Sequence, residues 1–207
     1  MNEELKNILS KVGCLYKKYG IKSITMDDVS RELGISKKTL YQYVQDKNEL
    51  VAQVIDLDME HQITIFNELF CKGLNAVDEL FEVNKMVAQM IKNHNPSEEY
   101  DLKKYYPDQF QKIHKVRREE VYNHILSNLK KGKQEGLYKS ELNEEIIAKV
   151  QLMRIENTFD NQIFTEDELL SSKAFLEIFI YHIRGIASDK GIKILEQKLI
   201  ELEINNH

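Results

Sequence analysis

Lys37, Lys38, Thr39, Tyr41, Gln42 and Tyr43 fall within seven consecutive residues and bring two cations, two phenols, a hydroxyl and a carboxamide into one short stretch. Side chains of these types recognise rather than react. Ammonium groups hold phosphates or the O6 and N7 edge of guanine, a carboxamide pairs with adenine, and a threonine methyl meets the methyl of thymine. A 3.6-residue period with Leu40 and Val44 inward puts Lys38 and Gln42 on the opposite face. Thr39, Tyr41 and Tyr43 then lie on the flanks, with Lys37 in the first turn. Cations at a helix N-terminus oppose its dipole, and a bound polyanion would compensate them. The bland alternative is a short solvated helix with ordinary surface lysines.

Positioning such a helix needs fixed ends, and residues 25 to 50 supply three start signals in succession. Thr25 with Asp28, Ser36 with Thr39, and Asp46 with Glu49 each have capping spacing, in which side chains take up orphan N–H groups of the first turn. Ile24 and Val29 flank the first cap as a hydrophobic staple, and Ile35 and Leu40 flank the second. Gly34 stands where the first of these helices must stop and turn. Upstream, Leu5, Ile8, Leu9, Val12, Leu15 and Tyr16 follow helical spacing up to Gly20, with Lys6, Lys11, Lys17 and Lys18 on the polar face.

The stretch from Gly34 to Leu50, GISKKTLYQYVQDKNEL, resembles the signature of the TetR/AcrR-type helix-turn-helix transcriptional regulators, G-[VI]-S-x-x-x-L-Y-x-[HY]-F-x-x-K-x-x-L. The likeness covers residues 1 to about 50 and is ungapped. Lys38 stands where many members carry glycine, and Val44 where most carry phenylalanine. The first departure changes backbone approach and base preference; the second trims the core. The resemblance implies that Thr25, Lys37, Lys38, Thr39, Tyr41, Gln42, Tyr43 and Lys47 contact DNA, with Tyr41 and Lys47 mainly holding phosphates.

Composition agrees with a local DNA contact. The first 50 residues hold nine Lys and Arg against seven Asp and Glu, a small positive excess in a 207-residue chain of net charge −5. A modest basic footprint suits a molecule most of which never touches DNA. The two cysteines, Cys14 and Cys71, form no close ligand pair and read as reduced thiols in cytoplasm. No leader and no membrane-length apolar run is visible, so the expected protein is soluble and cytoplasmic, with no membrane partner.

Two prolines and long amphipathic stretches predict an all-α fold. The expectation is a three-helix helix-turn-helix head over residues 1–46 and a larger helical body over 47–207 for effector binding and dimerisation. Body helices are expected from Lys47 towards Phe70, Leu74 to Ile91, Glu98 to Tyr106, Asp108 to about Glu135, Asn143 to Phe159, Ser171 to Ala187 and Ile192 to Ile204, with a break at 93–97. The G-x-x-x-G-L-Y turn from Gly132 to Tyr138 also resembles the family.

The helices 143–159 and 171–187 have apolar faces broad enough to need a partner, and the resemblance implies a four-helix interface with a second copy. Ile147, Val150, Phe175, Ile178, His182, Gly185 and Ile186 are its candidates, and intrachain core is the alternative. The family's effector pocket maps to helices carrying Phe66, Phe81, Met86, Met90, Tyr105, Tyr106, Phe110, Met153, Asn157 and Phe179. Methionine and aromatics line adaptable apolar pockets, although such residues taken singly are more often plain core.

No nucleophile elbow, P-loop, dinucleotide turn or zinc-protease helix appears. The histidines at 61, 94, 114, 124, 182 and 207 show no i, i+4 pairing, so no enzyme, metal site or cofactor is expected. The sequence thus reads as a homodimeric repressor that binds a palindromic double-stranded operator and is released by a small, largely apolar effector. The rival is a DNA-anchored interaction protein whose body binds another protein; a constitutive regulator with a filled cavity is a third reading.

Overall fold

Short-range side-chain caps and one left-handed glycine delimit the first helices of the computed structural model, which describes residues 2–92, 95–158 and 172–205. Helix α1 (Glu3–Tyr19) starts at Asn2, whose side chain accepts from the Leu5 N–H at 2.8 Å. Its acids lie in the first turn and Lys17 and Lys18 in the last, the arrangement the helix dipole favours. Helix α2 (Met26–Leu33) opens with the Thr25–Asp28 capping box and closes on Gly34 at φ 67°. An L side chain at that angle is strained even where space is open, and glycine is not.

Helix α3 (Lys37–Leu40) is shorter than the sequence period suggests. After Leu40 the chain tightens: Gln42 N–H donates to Thr39 O at 3.1 Å and Tyr43 N–H to Leu40 O at 3.0 Å. That tighter winding carries Tyr43 and Val44 to the head's apolar core. Helix α4 (Lys47–Phe70) follows. Asp46 Oδ1 accepts from Glu49 N–H at 2.9 Å, while the Glu49 carboxylate reaches back one residue further than expected, to Gln45 N–H at 2.6 Å.

The remaining described helices are α5 (Ala76–Lys92), α6 (Pro96–Tyr105), α7 (Pro107–Gln134), α8 (Glu144–Thr158), α9 (Ser172–Ile186) and α10 (Asp189–Asn205). The fold is all-α, a helix-turn-helix head with a helical body; one isolated bridge pairs Tyr138 with Ala187 among the described residues. The expected helix ends at Phe159 and Ser171, part of the break at 93 and 94, and the side chain of Asn157 lie outside the described residues. No described helix is long and apolar enough to cross a membrane.

Packing divides the chain into two units, residues 1–66 with 94–117 and residues 67–93 with 118–207. In the first, Leu9, Val12, Tyr16, Val29, Leu40, Leu50 and Val51 form the centre. Leu102 of α6 joins that core, and Tyr106, Phe110 and Ile113 pack against it. Asp101 fixes α6 in place by accepting from Lys22 N–H at 2.8 Å, and Asn95 donates to Lys17 O at 2.6 Å.

The second unit is organised around a buried polar network. Glu79, only 2% exposed, pairs with Lys131 and accepts from Asn128 Nδ2 at 2.9 Å. Tyr138 donates to Asn128 Oδ1 at 2.8 Å, and Asn128 also donates to Ala76 O at 2.9 Å. Gly132 makes this possible, because a Cβ there would lie 2.1 Å from the Tyr138 ring. Each polar group in the network has a partner, as burial in a low-dielectric interior demands.

Candidate nucleic-acid interface

The helix-turn-helix is assembled from three caps that follow one another between Thr25 and Leu50, and the side chains they leave uncommitted are the candidates for the interface. Thr25 Oγ1 accepts from Asp28 N–H at 3.2 Å and donates to Asp28 Oδ2 at 2.6 Å, while Thr25 N–H reaches the same carboxylate at 3.0 Å. These bonds, with Arg31 nearby, hold the Asp28 carboxyl below its ordinary pKa. Ser36 Oγ accepts from Thr39 N–H at 3.0 Å and lies 2.8 Å from Thr39 Oγ1. Leu40 and Val44 are buried between these turns, and Lys38, Tyr41 and Gln42 face solvent.

The eight sequence-derived candidates therefore separate into two kinds. Lys38, Tyr41 and Gln42 have no side-chain hydrogen bond or ion pair among the described residues, and Tyr41 is 48% exposed. The others are wired into the head. Thr25 and Thr39 serve the caps, and Lys37 is ion-paired with Asp27 of α2. Tyr43 is half-buried against the core, and the Glu4 carboxylate, hydrogen-bonded to its hydroxyl, raises its pKa. Lys47 Nζ donates to Ile21 O at 2.7 Å and to Lys22 O at 3.3 Å, bracing the loop between α1 and α2. Burial lowers the Lys47 pKa, and Asp101 and Asp28 oppose that shift. An ammonium has three donors, so Lys47 keeps one for an outside acceptor.

Residues 15–54, which span the caps and the exposed trio, match the family model for bacterial regulatory proteins of the tetR family. An uncharacterized HTH-type transcriptional regulator of Bacillus subtilis, YvaF, is 24% identical over 186 residues, 89% of this chain and 96% of its own. Residues 15–54 thus carry a TetR-family helix-turn-helix, and the chain as a whole is similar to an HTH-type transcriptional regulator. Its fold agrees with solved regulators. One from Cytophaga hutchinsonii superposes with a TM-score of 0.77 at 17% identity over 90% of this chain and 100% of the other. A TetR-family regulator from Agrobacterium tumefaciens gives 0.65 at 14% identity over 89% and 97%.

The TetR-family head is thus where sequence, caps and exposed polar groups coincide, and the body candidates are more dispersed. Of the proposed pocket residues, Phe66, Tyr105, Tyr106 and Phe110 lie in the first unit. Tyr106 and Phe110 pack on the head core, and Tyr105 is an exposed hydrogen-bond partner of Lys22. In the second unit Phe81 and Phe179 meet edge to face with centroids 5.0 Å apart. Met86 is half-buried, Met90 is exposed, and Met153 is 59% exposed.

Of the proposed interface residues, Ile186 is core and Ile147 packs against it. Phe175, Ile178 and His182 are partly covered, while Val150 and Gly185 face solvent. Burial, with the Arg154 guanidinium adding to it, pushes His182 down to about 4. Sequence reasoning placed Ile146 on the same apolar face as Val150 and missed Tyr181 near Gly185. Ile146, at 57% exposed, joins Val150 and Met153 at i, i+4, i+7 along α8, and Tyr181, at 79%, precedes Gly185 by one turn of α9. The spacing was visible in the sequence; which stripe of these broadly apolar helices is covered was not.

Proposed function

We propose that this regulator is a cytoplasmic, non-catalytic repressor that binds a palindromic operator as a homodimer and is released by a small, largely apolar effector. In this reading residues 1–46 are the DNA-binding part and 47–207 the effector-binding and dimerisation part. The observation that carries the DNA half is the exposed, uncommitted set Lys38, Tyr41 and Gln42 on a segment braced from both sides by caps. Lys38 and Gln42 read base edges in the major groove, Tyr41 holds a phosphate, and Thr25, Lys37, Thr39, Tyr43 and Lys47 fix the approach and add backbone contacts. Lys38→Ala or Gln42→Ala relaxes base preference by roughly 1–3 kcal/mol per lost bidentate contact. Competition between operator variants measures this, and unchanged discrimination removes the residue from the reading set.

One recognition segment covers a half-site, so a palindrome needs two heads about 34–36 Å apart. The exposed apolar stripe of Ile146, Val150 and Met153 along α8 supports a second copy as the partner, since exposed contiguous apolar surface marks association. Val150→Asp then yields monomer in sedimentation, and a persistent dimer sends the interface elsewhere. The effector acts by its difference in affinity for the DNA-bound and DNA-free arrangements. An apolar compound that binds the body raises Tm and releases the operator by a linked factor. A compound that binds without weakening operator affinity is no effector.

A further inference from the structure

The DNA-contacting surface does not end with the helix-turn-helix. Helix α6 lies against the loop that leads into α2, held there by the nearly buried Asp101, which accepts from Lys22 N–H at 2.8 Å. At the end of α6 two ammonium groups gather around one phenol. Lys22 Nζ donates to Tyr105 Oη at 2.7 Å and lies 4.5 Å from the centroid of that ring. Lys104 Nζ donates to Tyr100 Oη at 2.8 Å and lies 5.1 Å from the Tyr100 centroid and 5.4 Å from that of Tyr105.

Neither ammonium has a carboxylate partner among the described residues. The acids of α6 do not neutralise the pair: Glu98 and Glu99 sit in the first turn, at the opposite end of the helix, and the Asp101 oxygen is taken by the Lys22 amide. Tyr100 and Tyr105 are 57% and 37% exposed. Each phenol oxygen accepts from a lysine and so retains its own O–H as a donor. The cluster therefore presents ammonium and hydroxyl donors outward, without a matching acceptor.

Its position gives those donors a partner. Lys22 precedes the Thr25 cap by three residues, a chain reach of at most about 11 Å. Lys47 braces both the Lys22 and Ile21 carbonyls from below. One DNA strand carries a phosphate about every 3.4 Å of axis, so a strand held at Thr25 has further phosphates within reach of the cluster. We propose that Lys22, Tyr100, Lys104 and Tyr105 form a second backbone clamp, in which the end of α6 grips phosphates of the duplex that the helix-turn-helix reads. The clamp rests on the DNA-binding reading above. It adds affinity and salt dependence without choosing sequence.

The competing explanation is that Lys104 complements the dipole at the end of α6. The two differ in what they move. Binding of the full-length chain to a long mixed-sequence duplex is followed by fluorescence anisotropy at increasing NaCl, for wild type, Lys104→Ala, Lys22→Ala with Lys104→Ala, and Lys104→Arg. The clamp predicts that the slope of log K on log salt becomes shallower by about 0.9 for the single variant and about 1.8 for the double. Lys104→Arg keeps the wild-type slope, and thermal melting of all variants stays at the wild-type midpoint. A wild-type slope in the double variant overturns the clamp and leaves the helix-turn-helix reading intact. A shallower slope that comes with a lowered melting midpoint also overturns it, in favour of a stabilising role at the helix end. Failure of wild type to bind any duplex overturns both readings together.

Discussion

In the first unit the helices that present the interface are delimited by bonds spanning three or four residues, Thr25 with Asp28, Ser36 with Thr39 and Asp46 or Gln45 with Glu49. In the second unit Asn75, Asn143 and Ser188 cap α5, α8 and α10 in the same way, but buried polar groups also join helices across 49 residues from Asn128 to Glu79, 52 from Lys131 to Glu79 and 62 from Tyr138 to Ala76. Local caps make a small, rigid module whose outward side chains are free for recognition. The long-range network makes a body whose helices are fixed by one another, so that its surface faces depend on tertiary packing. A change in the head should therefore cost little stability and much DNA affinity, and a change in the body network the reverse.

The strongest way to break that contrast is Glu79→Ala. It removes the buried carboxylate shared by the Asn128 amide, which keeps Ala76 O, and the partly exposed Lys131 ammonium, which keeps Leu74 O, and loss of such a charged acceptor costs about 3 kcal/mol. Urea unfolding reads this, and a loss below about 1 kcal/mol would make the network incidental. His182 sharpens the same point through pH. Its folded pKa of about 4 lies below the unfolded value of about 6.5, so the neutral form stabilises the fold above pH 6.5. That contribution, about 3 kcal/mol, is lost as pH falls from 6.5 to 4, because the unfolded chain binds the proton first. His182→Gln should flatten that part of the stability profile, and an unaltered profile removes His182 as its source.

Changes in the head are smaller. Gly34→Ala forces an alanine to φ 67° where nothing crowds the side chain, a pure backbone penalty of about 1–2 kcal/mol. Thr25→Ala removes the capping hydroxyl at about 1 kcal/mol, with Ser restoring most of it. Both are read by the unfolding midpoint, and a cost for either that matches Glu79→Ala would erase the difference between the units.

The same contrast explains what the sequence reveals. The Thr25, Ser36 and Asp46 caps, the Gly34 turn and the inward Leu40 and Val44 are legible because each signal and its partner lie within one or two helical turns. The early end of α3 is less so, since helical period alone does not register the tight turns at Gln42 and Tyr43. The commitment of Lys37 to Asp27 and of Lys47 to two carbonyls depends on chain crossings that no spacing encodes. In the body, Phe110 and Tyr106 read as generic aromatics and turn out to serve the head core. Ile147 and Ile186 read like Val150, yet only Val150 is exposed. An apolar face is visible in the period of a helix; the identity of what covers it is not.

The central claim is sequence-specific binding by this head. It is tested most directly by retaining source-genome fragments on the purified protein at near-physiological salt and sequencing what is kept. A shared palindrome with half-sites about one helical turn apart, enriched beside one or a few promoters, is the expected result. Uniform retention that vanishes as salt rises would mean electrostatic association alone and would contradict the account.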